Sequence, residues 1–356
     1  MASLRDVAEH AGVSLATASR VASGSDIVRA ETRERVERAM RELLYVPRGR
    51  DGETTGAIGL LVPELSNPIF PALAEAMERR ASDSGLATIL CNTAGSALRE
   101  AEYVHMLLEH RVDGMIFISS EVTDLRSDHA HYRRLLEEGA RIVFVNGCSE
   151  QLDVTSVGVD ERAAGRIATE HLLELGHTRI GFAAGAEHAS PTHEKAEGHV
   201  AALRAAGIDT AGLVAYSEFG VEGGRQAYRA LVDAAGGPPT GIICSSDLMA
   251  IGVLREAAAQ GVRVPEELSV VGFDGIDASE WTEPSLTTVE QPIDEIAETA
   301  VRALRSLIDA PGQALPSYVF RPRLRVGGST ASLNGRAATT SASVSNGSNG
   351  SPRSSR

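Results

Sequence analysis

The chain has 356 residues, 43% hydrophobic and 23% charged, a globular composition long enough for two or three domains. It contains no run of about 18 apolar residues, and its opening MASLRDVAEH lacks the basic-then-apolar order of an export signal. A membrane span and secretion are therefore not expected, and a cytoplasmic protein is. The formal net charge of −14 argues against a nucleic-acid binder until it is mapped: residues 1–50 hold nine Arg against seven Asp or Glu. A weakly basic head on an acidic body suits a protein that meets phosphates with one end only. Cys91, Cys148 and Cys244 lie far apart and never form C-x-x-C, which reads as reduced thiols.

The first predicted helix carries Leu4, Val7, Ala8 and Ala11 at helical spacing. Gly12 follows, where a tight turn needs a residue tolerant of positive φ. Ser14 is placed to cap a second helix, Leu15 to Ala22. Ala18 and Val21 face inward in that helix, while Leu15, Ala16, Thr17, Ser19 and Arg20 face out. A third helix is predicted over about Glu31 to Leu44, with Val36, Ala39, Met40 and Leu43 on one face. Three short helices with a Gly turn between the first two make a helix-turn-helix, whose second helix enters the major groove of duplex DNA. The Arg20 fork matches guanine O6 and N7, and Leu15 can touch a thymine methyl. Ala16 permits close approach, and Ser14, Thr17 and Ser19 can bond phosphates or base edges. The same helices also make a small bundle with no nucleic-acid role, and pattern alone leaves that alternative open.

Residues 48–56, RGRDGETTG, form a Gly-rich charged connector. Each Gly costs a helix about 1 kcal/mol relative to Ala. Arg48 and Arg50 are either contacts to a narrow minor groove or to phosphate, or simply solvated linker charges.

From Ala57 the texture becomes strand then helix, repeated. AIGLLVP, ATILCN, DGMIFIS and RIVFVN are strands, with helices at Phe70–Ala81 and Ala101–Leu108. After Val157 the pattern restarts: helix Ala163–Leu175, strand RIGFAA, helix Ala196–Ala206, strand GIICSS, helix Leu248–Gln260, strand LSVVGFD. Near-continuous apolar strands alternating with helices predict parallel sheets covered on both faces, and two series predict two lobes. Ligands in such folds sit beyond the carboxyl ends of the strands, here between the lobes. Asn67, Phe70, Ser119, Ser120, Asp160, Asp247 and Asp274 stand at or just after strand ends. Each alone reads as a turn or cap residue; their shared location argues for a site. Residues 331–356, rich in Ser, Asn, Gly and Ala, read as a disordered tail.

The stretch DVAEHAGVSLATASRV, Asp6 to Val21, closely resembles the opening of lac repressor family proteins, D-V-A-x-x-A-G-V-S-x-x-T-V-S-R. Ala18 departs from it, at a position that should be core, and Ala30 replaces a usual capping Ser. The resemblance continues through VRAETRERV and, in the core, through LLVPELSNPIF, VDGMIFISS, GHTRIGF, SSDLMAIGVL, VVGFDGID and PSLTTVEQP. It implies an all-α helix-turn-helix head over 1–47, a hinge over 48–56 and an α/β core over 57–330 of two Rossmann-like, periplasmic-binding-protein-like parallel-sheet lobes. Lobe 1 is then expected at about 57–157 and 288–314, and lobe 2 at about 158–287 and 315–330. It implies a dimeric regulator, a repressor by expectation, that binds a palindromic operator. Leu15, Ala16 and Arg20 would be its operator-reading positions. Relatives carry an Ala-rich hinge helix with a Leu wedge; this connector is shorter, has three glycines and no Leu, so no normal hinge helix is expected.

Carried over by position, Asn67, Phe70, Asp160, Lys195, Phe219 and Asp247 match effector-contacting places, and Trp281 a usual aromatic place. Lys195 stands where relatives commonly have Arg, and Ser246 where Asn is frequent. A point charge replaces a two-donor fork, so the effector is expected to differ from a standard family sugar. Acidic groups plus an aromatic favour a polyhydroxylated ligand, a carbohydrate or related metabolite, with Asp247 accepting two hydroxyls.

Two rival classes share parts of this pattern. An exported sugar-binding protein has the two-lobed core but neither a helix-turn-helix nor, here, a signal. An enzyme would need a motif that is not found: no G-x-G-x-x-G follows a strand, and there is no P-loop, G-x-S-x-G or H-E-x-x-H. His177, His188 and His193 are not at metal-ligand spacing. Catalysis, a cofactor and a metal are accordingly not expected.

Overall fold

The computed structural model describes residues 3–22, 27–43, 55–149 and 151–333. The chain divides into two compact units, residues 1–57 with 111–113, and 58–110 with 114–356.

In the first unit α1 (Leu4–His10), α2 (Leu15–Ala22) and α3 (Ala30–Glu42) pack around Val7, Ala8, Ala18, Val21, Val36, Ala39 and Met40. Ser3 and Asp6 close a reciprocal capping box on α1, satisfying N–H groups that the helix itself cannot. Gly12 turns the chain at φ 62°. Ala18, the departure from the family pattern, is fully buried. α3 stops at Glu42, short of the predicted Leu44. Thr55 and Gly56, at the end of the connector, each donate a backbone N–H to a carboxylate oxygen of Asp113 at 2.7 Å.

The second unit holds two six-stranded sheets. The first has the order β11 (Tyr318–Phe320), β5 (Ser156–Val159), β4 (Ile142–Val145), β3 (Gly114–Ile118), β1 (Ala57–Val62), β2 (Ala87–Asn92). The second has the order β12 (Arg323–Arg325), β10 (Thr287–Glu290), β9 (Ser269–Asp274), β8 (Gly241–Cys244), β6 (Ile180–Ala184), β7 (Val214–Tyr216). Their central strands are parallel and buried end to end, as GMIFI and SVVGFD demand. One departure is β12, an antiparallel edge strand on β10. α4 (Ile69–Asp83) and α11 (Ile293–Asp309) cover one face of the first sheet through Leu73, Met77, Ile296, Val301 and Leu304. α5 (Ala97–Glu109) and α6 (Ala130–Glu137) complete lobe 1, where Tyr132 meets Phe117 and Phe144 edge-on.

In lobe 2, α7 (Glu161–Glu174) and α8 (Ser190–Ala205) pair on one side of the sheet, and α9 (Val221–Asp233) and α10 (Asp247–Ala259) on the other. Both pairs cross on reciprocal glycines. A Cβ on Gly165 would lie 2.0 Å from the Lys195 carbonyl oxygen, and one on Gly198 2.0 Å from that of Arg162. Gly224 and Gly252 face Met249 and Val221 at 2.0 and 2.1 Å in the same way. Close backbone approach explains why α9, with its Gly-Gly pair, does not read as a helix in the sequence.

The lobe limits shift. All of Ser156–Val159 and Tyr318–Phe320 belong to the first sheet, and Thr287–Glu290 to the second. The chain therefore crosses after 159, 290 and 320, later than the predicted 157, 287 and 314. The tail also starts later than 331: Ala331 accepts from or donates to His177 and Ser269, and the Leu333 N–H donates to the Leu175 carbonyl at 2.8 Å. Residues 334–356, the remainder of the predicted tail, lie outside the described residues. Among the described residues no helix is long and apolar enough to cross a membrane.

Candidate nucleic-acid face and effector cleft

In the head, the Ser14 hydroxyl accepts from the Thr17 N–H at 3.1 Å and lies 2.8 Å from the Thr17 hydroxyl. Ser14 is thus the cap of α2 and orients Thr17. Burial of Ala18 and Val21 turns Leu15, Ala16 and Arg20 outward, and Leu15 is 46% exposed. Thr17 and Ser19 sit half-buried beside them. Arg35 was not anticipated: its guanidinium donates to the Ala11 and Gly12 carbonyls at 3.1 and 3.4 Å and braces the turn. His10 Nε2 meets Glu42 at 2.7 Å, tying α1 to α3. Arg48 and Arg50, and the expectation of an absent hinge helix, fall on residues outside those described.

In the second unit a cavity of about 770 Å³ opens at the carboxyl ends of the strands of both sheets. It falls within the usual range of roughly 300–1,000 Å³ for small-molecule sites. Asn67, Phe70, Ser119, Ser120, Lys195, Phe219 and Asp274 line it. Phe70 comes from the start of α4 in lobe 1 and Phe219 from the loop before α9 in lobe 2. Phe219 lies over Gly185, where a Cβ would stand 2.4 Å from the ring. Ser119, Asn146 and Asp274 end their strands with φ of 42°, 56° and 119°, and Ala94 in the wall has 51°. Such conformations concentrate at functional sites because surrounding structure must hold them.

Three expected residues are not brought to the cleft. Asp160 is exposed and caps α7, accepting from the Ala163 N–H at 2.8 Å. Trp281 is 80% exposed and lies outside the lining. Asp247 is fully buried beneath the cleft floor, with both carboxylate oxygens occupied. Oδ1 accepts from the Thr288 hydroxyl at 2.6 Å, and Oδ2 from the Gly275 and Ile276 N–H groups, both at 2.9 Å. It has no oxygen to spare for two ligand hydroxyls; strand-end position alone does not say which way a side chain turns. Burial pushes its carboxyl up to about 7, against the lowering effect of those donors.

Several lining residues escaped the sequence reading. Asn146 ends RIVFVN and Gln291 follows TTVE, both strand ends that the same rule reaches. The Asn146 side-chain amide donates to Gln291 Oε1 at 2.9 Å, and the Gln291 amide donates to Asp274 Oδ1 at 2.8 Å. Asn146 Oδ1 is buried without a partner, an acceptor held at the wall. Glu161 forms a 2.7 Å ion pair with Lys195, whose ammonium lies 3.9 Å above the Phe273 ring. Burial pushes the carboxyls of Glu161 and Asp274 up from their usual range, Asp274 strongly and with a further push from nearby Asp247. Glu100, Glu121 and His131 bring metal-ligand-type atoms within 4.8 Å of one another. Glu100 is already engaged by the Tyr132 hydroxyl and the Glu121 N–H.

The arrangement offers hydroxyl-matching donors and acceptors, three phenylalanine rings (Phe70, Phe219 and Phe273) and strained strand ends. These groups are of the kind that bind a polar small molecule.

Residues 3–48 match the model of bacterial regulatory proteins of the lacI family, and residues 169–330 match a periplasmic binding protein-like domain. The HTH-type transcriptional regulator MalR of Streptomyces coelicolor is 38% identical over 93% of this chain and 97% of its own length. Among solved structures, the lac repressor dimer bound to operator and the anti-inducer ONPF has a TM-score of 0.80 at 28% identity, covering 93% of this chain and 99% of that one. A complex of the transcriptional regulator CelR with cellobiose has a TM-score of 0.70 at 32% identity, covering 92% and 100%.

Proposed function

We propose, from the premise that this chain belongs to the lacI family of bacterial regulatory proteins, that it is a homodimeric repressor whose grip on a palindromic operator is set by a saccharide in the cleft. The observation that carries the reading is the outward face of α2, where Leu15, Ala16 and Arg20 are presented by a helix anchored through Ala18 and Val21. A two-fold dimer would place two such helices in successive major grooves. The cleft supports the effector half: aromatic rings from both lobes, and polar strand ends between them, suit a polyhydroxylated ligand. The operator-bound and cellobiose-bound structures named above support both halves, each for its own protein. An effector acts only if it prefers one arrangement of the lobes; equal affinity for both would shift nothing.

Arg20 gives the direct test. Arg20→Ala is expected to lower affinity for a duplex selected by the wild-type protein by about 1–3 kcal/mol and to relax preference at one base pair per half-site. Binding-site selection with both proteins, followed by titration, measures this. Equal loss on selected and random duplexes would make Arg20 a phosphate contact only.

A further inference from the structure

The effector cleft has an unusual charge inventory. Among the described residues seven carboxylates line it, Glu161, Glu218 and Asp274 included, and Lys195 is the only Lys or Arg in that lining. Lys195 is also the only lysine in the whole chain; every other basic side chain of this kind is Arg. Although it lines the wall, its charge is already paired. The residue is 5% exposed, and its ammonium lies 2.7 Å from Glu161 and over the Phe273 ring. Glu161 is itself 93% buried, so the pair is a sealed unit in which the positive charge is answered internally. Of the other lining carboxylates, Asp124 is held by Arg126 at 2.7 Å, and Glu100 and Glu121 lie 3.8 and 3.7 Å from His131. His188 also lines the cavity, but it stands 4.0 Å from Asp124; among the described residues no permanently charged side chain other than Lys195 is placed there to welcome an incoming anion. The buried acceptor of Asn146 adds a group that wants a hydroxyl or an N–H from the ligand. An anionic ligand would have to lose its water against a wall of carboxylates, with the one ammonium already taken.

We propose that the cleft selects an uncharged or amino-bearing saccharide and refuses phosphorylated and acidic ones, because Glu161 cancels the one permanent cation among its described lining residues. The inference rests on the saccharide reading of the preceding section and narrows it. The volume of about 770 Å³ leaves the room of roughly 25 waters at ~30 Å³ each, more than one sugar ring fills.

Two arms test it. In the first, full-length protein is titrated by thermal shift and calorimetry with cellobiose, the glucosamine disaccharide, cellobionate and glucose 6-phosphate. Binding of a neutral or amino member, with the anionic members weaker by roughly a hundredfold or more, is expected. An anionic member that binds as well as its neutral counterpart overturns the proposal. If no saccharide of any charge binds, the saccharide reading falls, and the second arm still judges the charge claim. There, protein made with ¹⁵N-lysine gives a single lysine side-chain signal, assigned without ambiguity because Lys195 stands alone. Inorganic phosphate is expected to leave that signal unmoved in the wild-type protein and to move it in Glu161→Gln, where the ammonium is released. A response of the wild-type signal to phosphate, or none in a folded Glu161→Gln, overturns the assignment. Glu161→Gln combined with Lys195→Met removes both charges and, followed by calorimetry because it has no lysine signal, should fold and bind no inorganic phosphate; phosphate binding by this double variant would overturn the assignment. The wild-type titrations need no variant, so a poorly folding Glu161→Gln leaves the proposal decided by them.

Discussion

Asp247→Ala should destabilise the core by about 3 kcal/mol or more, and any loss of effector response should follow from that. The variant strands three buried donors, the Gly275 and Ile276 N–H groups and the Thr288 hydroxyl. Each unpaired buried donor costs roughly 1–3 kcal/mol. The carboxyl reaches them because Gly272 leaves space; a Cβ there would lie 2.1 Å from Oδ1. These bonds pin the turn after β9 to the start of α10 and to β10, next to the chain's crossing at Gln291.

The pH dependence has a definite sign. The folded carboxyl titrates near 7, above its ordinary 3.8, because burial disfavours the anion. Between about 3.8 and 7 the folded state holds a proton that the unfolded state has released. Stability from this group is therefore full below about 3.8 and falls as pH rises through about 7. The penalty of Asp247→Ala should be largest near pH 4–5 and shrink toward pH 8. Urea unfolding of both proteins across that range measures it; a penalty that grows with pH would contradict the assignment.

Gly165→Ala is the second large effect, although the residue touches no ligand in this account. The new methyl would stand 2.0 Å from the Lys195 carbonyl, where backbone cannot yield as a flexible side chain can. α7 and α8 must separate, at a cost of roughly 1–3 kcal/mol or more for such overpacking. Because Glu161 opens α7 and Lys195 lies in α8, the separation also pulls apart the 2.7 Å ion pair in the cleft wall. The expected result is a lower unfolding midpoint together with weakened saccharide binding. An effect on stability with unchanged binding at full folding would show that the pair tolerates the shift.

The head was legible nearly whole because its determinants are local. Helical spacing of Val7, Ala8 and Val36, a Gly at the turn and a Ser cap all act within one turn of chain. Its missed features also differ by range: the Ser3–Asp6 box was readable as S-x-x-D, whereas Arg35 reaching Ala11 across 24 residues was not. In the core, strands buried on both faces announce themselves as apolar runs, so β1, β3, β4, β6, β8 and β9 were foreseen. The three-residue β7 and β11 carry too little pattern, and α9 hides behind glycines whose purpose is contact with α10. The cleft was legible as a place, the carboxyl ends of the strands, and as a set of candidates. Which candidates turn into it was not: Asp160 and Asp247 satisfy backbone donors, while Asn146, Gln291 and Glu161 take the wall. That choice depends on neighbours distant in sequence, such as Thr288 41 residues from Asp247.

The central claim, that a saccharide in the cleft controls reading of DNA by α2, is met most directly by one titration. Fluorescence anisotropy would follow binding of the full-length protein to its selected duplex and to a random one, each with and without a cleft-saturating saccharide. The account predicts tighter binding to the selected duplex, steep weakening as salt rises, and a further change in that preference when the saccharide is bound. Equal affinity for both duplexes, or an operator affinity indifferent to a saccharide already shown to occupy the cleft, would contradict it.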